Sequence, residues 1–248
     1  MLRRNARQID LINKWVPRWS KSLARTFAVT VEATGPYIGD GATYPGRGND
    51  GVGRIFICNH RSSCDIPVMF TLIEAHAISR HDLADWPILG RGARRVGTLF
   101  VDRESRRSGA DVLRKTDAAL DAGEGVMMFP EGTSFIGDEV RPFRPGAFKA
   151  AQRAGAQIVP VGIAYDNDAV YYYKEPFLTH LSRLATQRAI RVAAVAGEPM
   201  TTVGRDPVEL KEEAHATMQQ LVNQARRRLG GATSPHCPEA TESAATES

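Results

Sequence analysis

The chain has 248 residues, of which 42% are hydrophobic and 24% charged, and its formal net charge is +4. This length and composition are typical of an ordinary soluble protein with one large domain and enough chain for a sizeable core. The mild positive charge allows an anionic partner, but it does not choose between a lipid surface, a nucleic acid and a phosphorylated substrate.

The three cysteines, Cys58, Cys64 and Cys237, lack the spacing of metal ligands and do not form a disulfide framework, which favours a reducing compartment. No apolar run approaches the roughly 20 residues that a membrane-spanning helix needs. The N-terminus also lacks the apolar region of a signal peptide. We therefore expect a cytoplasmic protein without a metal or bound cofactor, and one that lies on the membrane surface if it works at a membrane.

Residues 1–27 are predicted to form an amphipathic helix, which Pro17 either kinks or breaks. Its basic side chains outnumber a single acid, Asp10, and they accompany two tryptophans, a composition that suits the headgroup zone of an anionic membrane. The alternative is that the apolar stripe packs on the body of the protein. The stripe consists of Leu11, Ile12, Trp15, Val16, Trp19 and Leu23.

Residues 28–230 alternate between short apolar runs and amphipathic segments, and residues 231–248 have the polar composition of a disordered tail. The predicted strands are 27–33, 52–58, 77–79, 97–101, 126–129, 158–163 and 190–195. The predicted helices after the first one are 65–75, a segment within 86–95, 109–122, 146–154 and 207–229. This order predicts an α/β fold with a mixed, largely parallel central sheet flanked by helices. Loops beyond the strand ends are then the natural positions for a functional site.

The stretch from Asn59 to Asp65 follows a predicted buried strand and contains a histidine and a carboxylate five residues apart. On one continuous helix these two side chains would lie about 140° apart, so paired chemistry requires a turn between them. Ser62 or Ser63 can cap a helix, which leaves His60 on the loop and Asp65 in the first helical turn. The carboxylate can then orient the imidazole as it does in a catalytic triad, although a histidine in a loop beside a capping aspartate is the simpler alternative.

Three further segments complete a pattern: Gly97-Thr98-Leu99-Phe100-Val101-Asp102-Arg103, Phe129-Pro130-Glu131-Gly132-Thr133 and Val159-Pro160-Val161. Together with His60 and Asp65 they resemble the glycerolipid acyltransferase family, whose motifs are His-x4-Asp, Gly-x-x-Phe-x-x-Arg, Pro-Glu-Gly-Thr and an apolar Val-Pro-Val strand. All four motifs occur in that order across about residues 52–165, which makes the resemblance specific although His-x4-Asp alone would be weak.

The resemblance implies transfer of a fatty acyl group from an acyl thioester, on coenzyme A or acyl carrier protein, to the hydroxyl of a lysolipid. The acceptor that it favours is 1-acylglycerol-3-phosphate, which gives phosphatidate. His60 would act as general base and Asp65 would orient it, which suits an imidazole with an unperturbed pKa of about 6.5. Cys64 adjoins the pair, but a cysteine at this position is more often a small buried hydrophobe.

The resemblance also implies that the other motif residues bind substrate. Arg103 would bind the acceptor's phosphate, unless it forms an ion pair with Asp102 or Glu104. Glu131 would accept from a glycerol hydroxyl or hold Arg103, and Pro160 either places backbone amides near the thioester or belongs to the core. The implied substrate-binding residues are Gly97, Phe100, Arg103, Glu131, Gly132, Thr133 and Pro160.

One position departs from the family pattern. Many phosphatidate-forming members carry an arginine after Glu-Gly-Thr, whereas this chain has Ser134 followed by Phe135. Either Arg141, Arg144 or Lys149 supplies the missing cation, or the acceptor is another lysolipid, such as a lyso-ornithine lipid or a lysophospholipid with a larger headgroup.

Three other functions stay open at this point. The histidine and aspartate could serve a hydrolase or a transacylase that uses phospholipid donors. The basic face could instead belong to a non-catalytic lipid-binding protein. A nucleic-acid partner is disfavoured because aromatic residues make up only 7% of the chain and no recognition motif is present.

Overall fold

A computed structural model of the chain describes residues 6–80, 98–101 and 106–231. The strands are β1 (Val29–Thr34), β2 (Ile55–Cys58), β3 (His76–Arg80), β4 (Leu99–Val101), β5 (Val126–Met128), β6 (Ile158–Tyr165) and β7 (Ile190–Ala196). The α-helices are α1 (Ala6–Thr26), α2 (Asp65–Leu72), α3 (Arg106–Asp121), α4 (Gly146–Ala154), α5 (Phe177–Ala185) and α6 (Pro207–Arg228).

The strands form one sheet in the order β1-β7-β6-β2-β5-β3-β4. Strands β6, β2, β5, β3 and β4 are parallel to one another, and β7 pairs antiparallel with β6 and parallel with β1. The predicted α/β fold with a mixed, largely parallel sheet is therefore confirmed. Strand β2 lies between β5 and β6, so the loops that follow β2 and β5 leave the same edge of the sheet.

Both faces of the sheet are covered, which explains why β2 and β6 are continuous apolar runs rather than alternating ones. Phe56 and Cys58 of β2 join the core beneath α2, where Val16 of α1 also packs. Ile55 and Ile57 point the other way, into a core built with α3, α4 and α6.

The sequence signals for helix ends account for several boundaries. Helix α6 begins after Asp206, whose carboxylate accepts from the backbone N–H groups of Val208 and Glu209. Helix α4 ends at Gly155, which adopts the left-handed conformation that glycine tolerates best. Pro17 lies inside α1, and the predicted N-terminal helix continues through it.

Helix α5 and the last two residues of β6 are absent from the sequence prediction, and β2 begins three residues later than predicted, at Ile55. Among the residues that the structure describes, no helix is long and apolar enough to cross a membrane. The predicted tail at 231–248 and the predicted helical segment within 86–95 fall outside the described ranges, except for Gly231.

Candidate active site

His60 and Asp65 meet at the edge of the sheet where β2 ends. His60 lies on the loop after β2 and Asp65 is the first residue of α2, as the sequence predicts. The Nδ1 atom of His60 lies 2.7 Å from Oδ2 of Asp65. The imidazole side chain is 16% exposed and the carboxylate is fully buried. Because a carboxylate only accepts, Nδ1 carries the proton and the lone pair lies on Nε2, on the ring that solvent can reach.

The carboxylate of Asp65 accepts further hydrogen bonds besides the one from His60. Its Oδ2 also accepts from the backbone N–H groups of Arg61 at 2.6 Å and Ser62 at 2.9 Å. Its Oδ1 accepts from the hydroxyl of Tyr165 at 2.7 Å, across from the end of β6. Burial, and the charge of Asp65, raise the pKa of Tyr165 well above its ordinary value, so the phenol stays a donor. These donors hold the carboxylate in the orientation in which Oδ2 meets the imidazole of His60.

The end of β5 brings the Pro-Glu-Gly-Thr segment against His60. The ring of Phe129 stacks on the imidazole, with 4.2 Å between the ring centroids and 20° between the planes. Beyond it, the backbone N–H of Phe135 donates to the carbonyl of His60 at 3.0 Å. The two motifs therefore form one site, although 71 residues separate His60 from Glu131.

Glu131 is buried, and its carboxylate binds protein groups. It accepts from the guanidinium of Arg61 at 2.8 Å, from the backbone N–H of His60 at 2.9 Å and from that of Arg141 at 2.9 Å. Arg61 is buried as well, and it donates in addition to the carbonyls of His60 and Glu139. The described contacts thus give Glu131 a structural partner, Arg61, while its role in binding the acceptor remains a prediction.

Three other predicted substrate-binding residues, Gly132, Thr133 and Pro160, lie within the described part of the chain. Gly132 has a φ of +83°, and a Cβ there would lie 2.4 Å from Nε of Arg144, so this turn requires glycine. Thr133 is exposed beside it. Pro160 is buried inside β6 opposite Ile57, and its carbonyl accepts from the N–H of Gly197. These contacts suit a core position, and a role for Pro160 at the thioester remains a prediction.

Only part of the second motif, which runs from Gly97 to Arg103, lies within the residues that the structure describes. Phe100 lies in β4, which runs parallel to β2 and ends at Val101, toward the same edge of the sheet. Gly97 and Arg103 lie outside the described residues, as do Asp102 and Glu104. The predicted phosphate contact of Arg103 therefore remains a prediction.

The predicted serine cap of α2 is wrong. The residue at the helix N-terminus is Cys64, which makes no side-chain capping bond. The hydroxyl of Ser62 accepts from the backbone N–H of Cys64, which precedes the helix. The hydroxyl of Ser63 faces His180 instead. The carboxylate of Asp65 takes over the closing of the turn by binding the N–H groups that precede it.

Four residues of this centre lie outside the predicted set. Asn59 directly precedes the first motif and Arg61 lies inside it, and the amide of Asn59 exchanges two hydrogen bonds with the backbone of Ile163 in β6. Tyr165 and His180 carry no local signal, since they reach the motif from distant elements. Their positions follow from the strand order and from α5.

The cysteines near the site are thiols rather than nucleophilic thiolates. Burial raises the pKa of Cys64 to about 11 and that of Cys58 well above its ordinary value. The arrangement as a whole can remove a proton from a hydroxyl through Nε2 of His60 and return it to a leaving group.

The chain is similar in sequence to known proteins. Residues 47–164 match the sequence model of the family described as Acyltransferase. The chain is 31% identical over 171 residues to the lyso-ornithine lipid O-acyltransferase of Pseudomonas aeruginosa, covering 66% of each protein. It is 32% identical over 113 residues to the 1-acyl-sn-glycerol-3-phosphate acyltransferase of Neisseria gonorrhoeae, covering 46% of this chain and 44% of the relative. The chain thus spans at most 66% of the length of these two relatives.

The fold has a counterpart among solved structures. The crystal structure of the 1-acyl-sn-glycerophosphate acyltransferase PlsC from Thermotoga maritima superimposes with a TM-score of 0.68 and 20% sequence identity. The match covers 94% of this chain and 86% of that protein. At this level of identity the likeness establishes the fold.

Proposed function

Because this chain belongs to the acyltransferase family, we propose that it transfers a fatty acyl group from an acyl thioester to the hydroxyl of a lysolipid. The observation that carries the proposal is the contact between Nδ1 of His60 and the buried carboxylate of Asp65. It fixes the tautomer that leaves a basic nitrogen on a partly exposed ring, which a hydroxyl acceptor requires.

The proposed reaction is direct. Nε2 of His60 removes the proton of the acceptor hydroxyl while the hydroxyl oxygen attacks the thioester carbonyl. The tetrahedral intermediate collapses, the carbon–sulfur bond breaks, and the imidazolium returns the proton to the departing thiolate. Asp65 stabilises the imidazolium in between. A thioester is already activated and no electron is transferred, so the step needs no cofactor beyond the donor itself, acyl-CoA or acyl-ACP.

The favoured acceptor is 1-acylglycerol-3-phosphate, with Arg103 as the proposed phosphate ligand. The cations of the acceptor loop support an anionic headgroup. The backbone N–H of Arg141 donates to Glu131, which places this residue one hydrogen-bonded group from His60, and the side chain of Arg144 lies against Gly132. Lys149, in the first turn of α4, is the more distant candidate.

A second acceptor class, the lyso-ornithine lipids, is supported by Ser134. This position is buried, and it carries no arginine to bind a second phosphate oxygen. A relative covering 66% of this chain is also named a lyso-ornithine lipid O-acyltransferase. The reaction at the hydroxyl is the same for both acceptors, so the chemistry of His60 and Asp65 does not distinguish them.

We place the enzyme on the cytoplasmic face of a membrane, held there by α1. Leu11, Trp15 and Trp19 recur every four residues along the helix and are 49%, 59% and 57% exposed. Four exposed cations run beside this stripe: Lys14, Arg18, Lys21 and Arg25. Exposed tryptophans next to cations suit the boundary between anionic headgroups and acyl chains.

The decisive experiment measures acyl transfer by the purified full-length chain from a long-chain acyl thioester. The acceptors are lysophosphatidate, lyso-ornithine lipid and an uncharged monoacylglycerol, each assayed with the wild type and with His60→Ala. We expect transfer that His60→Ala lowers by a hundredfold or more, the usual range for loss of a general base. The acceptor with the highest kcat/KM then identifies the headgroup.

The same assay separates the other functions. Release of free fatty acid without transfer would identify a hydrolase, and transfer that needs a phospholipid donor instead of a thioester would identify a transacylase. A folded chain with neither activity, bound to lipid vesicles, would be a lipid-binding protein and would refute the proposal.

A further inference from the structure

A second histidine holds the turn between His60 and Asp65. The Nε2 atom of His180 lies 2.8 Å from the hydroxyl oxygen of Ser63 and 3.4 Å from its backbone nitrogen. Ser63 is the middle of the three residues that follow Arg61 and lead into α2, so its position fixes the path between the two catalytic groups. His180 is fully buried and comes from α5, outside the residues 47–164 that match the family.

The contacts with Ser63 and Glu175 favour one tautomer of this histidine. A backbone N–H can only donate, so Nε2 of His180 must offer a lone pair to Ser63, and the hydroxyl of Ser63 donates to it as well. The proton of the neutral ring is therefore on Nδ1, which faces Oε1 of Glu175 at 3.5 Å. Nη2 of Arg183 forms an ion pair with the same oxygen and also lies 3.3 Å from Nδ1, a contact that a guanidinium donor makes with the other tautomer. Two contacts thus favour the Nδ1–H tautomer: that of the backbone N–H of Ser63 with Nε2 and that of the carboxylate of Glu175 with Nδ1.

We propose that His180 is a positioning residue for acyl transfer, acting as a neutral acceptor that fixes Ser63 and, through this residue, the geometry of His60 and Asp65. The inference rests on the proposed function for its activity assay, and it adds a requirement that the family match does not contain. It assigns His180 no contact with substrate. Its effect is to keep Nδ1 of His60 aligned with Asp65 during the reaction.

This role depends on the charge of the ring. Protonation would place a hydrogen on Nε2, which would then face the N–H of Ser63 and could no longer accept from it. Burial and the charge of Arg183 lower the pKa of His180, whereas Glu175 and the more distant Asp65 act in the opposite direction. The neutral phenol ring of Tyr172 packs 4.7 Å away. The lowered pKa keeps the ring neutral around pH 7, where the turn is intact.

The test compares two substitutions of His180 in the full-length chain. His180→Gln keeps an acceptor near the place of Nε2 but cannot titrate, and His180→Leu removes the acceptor. We expect His180→Leu to lower kcat by about ten- to a hundredfold with little change in KM, because the donors of Ser63 are left unpaired. His180→Gln should restore most of kcat.

The matched control is His76→Leu, which removes a buried histidine that pairs with Glu124 at the opposite edge of the sheet and should leave kcat unchanged.

The pH profile provides a readout that loss of packing would not give. As the pH falls, log(kcat/KM) of the wild type should decline more steeply than that of His180→Gln, because protonation of His180 impairs transfer in the wild type only. A wild-type profile no steeper than that of His180→Gln, a His180→Leu variant as active as the wild type, or a His180→Gln variant as impaired as His180→Leu would each overturn the proposal. If His180→Leu does not fold, His180→Gln and the pH profile still decide.

A measurement without substrate separates this inference from the proposed function. A long-range proton–nitrogen NMR spectrum reports which ring nitrogen of His180 carries the proton, and His180→Gln identifies the signal. We expect the Nδ1–H tautomer at pH 7. The Nε2–H tautomer, or a charged ring, would overturn the inference even in an active enzyme. A wild-type chain that transfers no acyl group would count against the proposed function alone.

Discussion

Arg61 and Glu131 form an ion pair in which both side chains are almost completely buried, with 2.8 Å between Nη1 and Oε2. The pair joins the first motif to the third, because Arg61 adjoins His60 and Glu131 follows β5. Glu131 also accepts from the backbone N–H of His60 itself. A residue that the family pattern marks for substrate binding is therefore also part of the scaffold that holds His60.

Replacing Glu131 with glutamine should destabilise the protein strongly. The substitution leaves the guanidinium of Arg61 buried without its counter-charge, and breaking such a pair from one side costs about 3–5 kcal/mol of unfolding free energy. Urea unfolding of Glu131→Gln beside the wild type measures this loss. The control is Glu213→Gln, which breaks an exposed ion pair with Arg205 and should cost less than about 1 kcal/mol. Equal stability of Glu131→Gln and the wild type would mean that Glu131 acts on substrate alone.

Tyr165→Phe should lower kcat and leave KM nearly unchanged. The hydroxyl of Tyr165 holds Oδ1 of Asp65, which keeps Oδ2 directed at His60. Losing one hydrogen bond worth about 1.4 kcal/mol corresponds to about a tenfold lower kcat. Steady-state kinetics with saturating thioester checks this. Tyr171→Phe is the control, since its buried hydroxyl binds Arg226 instead, and it should retain wild-type kcat. A similar loss in both variants would contradict a specific role for Tyr165.

The parts of the site that the sequence could predict are those that one loop brings together. His60 and Asp65 are five residues apart, and a buried strand followed by a turn leaves few ways to arrange them. Tyr165 stands 100 residues from Asp65 and reaches it only because β6 lies next to β2 in the sheet. Strand order is set by packing of the whole domain, so the residue pattern around Tyr165 contains no sign of this contact.

Helix α5 shows a different limit. Its apolar residues Phe177, Leu178, Leu181 and Leu184 follow Pro176 at helical spacing. This pattern indicates a helix, but it extends over only a few residues. The helix has only 9 residues, and its buried side chain, His180, is polar. A pattern based on hydrophobic periodicity therefore gives no weight to the residue by which α5 contacts the site.

Arg141→Gln should weaken binding of anionic acceptors. The guanidinium of Arg141 lies 5.5 Å from the ring centroid of Phe135, and its ion pair with Glu139 is long, at 3.4 Å, and partly exposed. Such a pair is weak enough for a phosphate or carboxylate to compete with it. We expect the KM for lysophosphatidate to rise about five- to tenfold, as loss of a charge-assisted hydrogen bond predicts.

The acceptor panel supplies the controls for this variant. The KM of Arg141→Gln for an uncharged monoacylglycerol should equal that of the wild type. Arg153→Gln, which removes an exposed arginine paired with Asp117 on the α3–α4 surface, should change neither value. If the KM of Arg141→Gln rises equally for charged and uncharged acceptors, Arg141 supports the loop rather than the headgroup.

Trp15→Ser combined with Trp19→Ser should release the protein from anionic vesicles. The two indoles are exposed on α1, and each buries a large apolar surface when it enters a bilayer interface, so binding should weaken at least tenfold. Co-sedimentation with vesicles containing an anionic phospholipid measures the bound fraction, and added salt should weaken wild-type binding because cations flank the stripe.

Val203→Ser with Val208→Ser removes two equally exposed apolar side chains near the start of α6 and should bind like the wild type. Activity of the tryptophan variant on detergent-dispersed acceptor should be preserved, since Asp65 and His60 do not depend on the exposed face of α1. Undiminished vesicle binding would show that α1 is not the anchor.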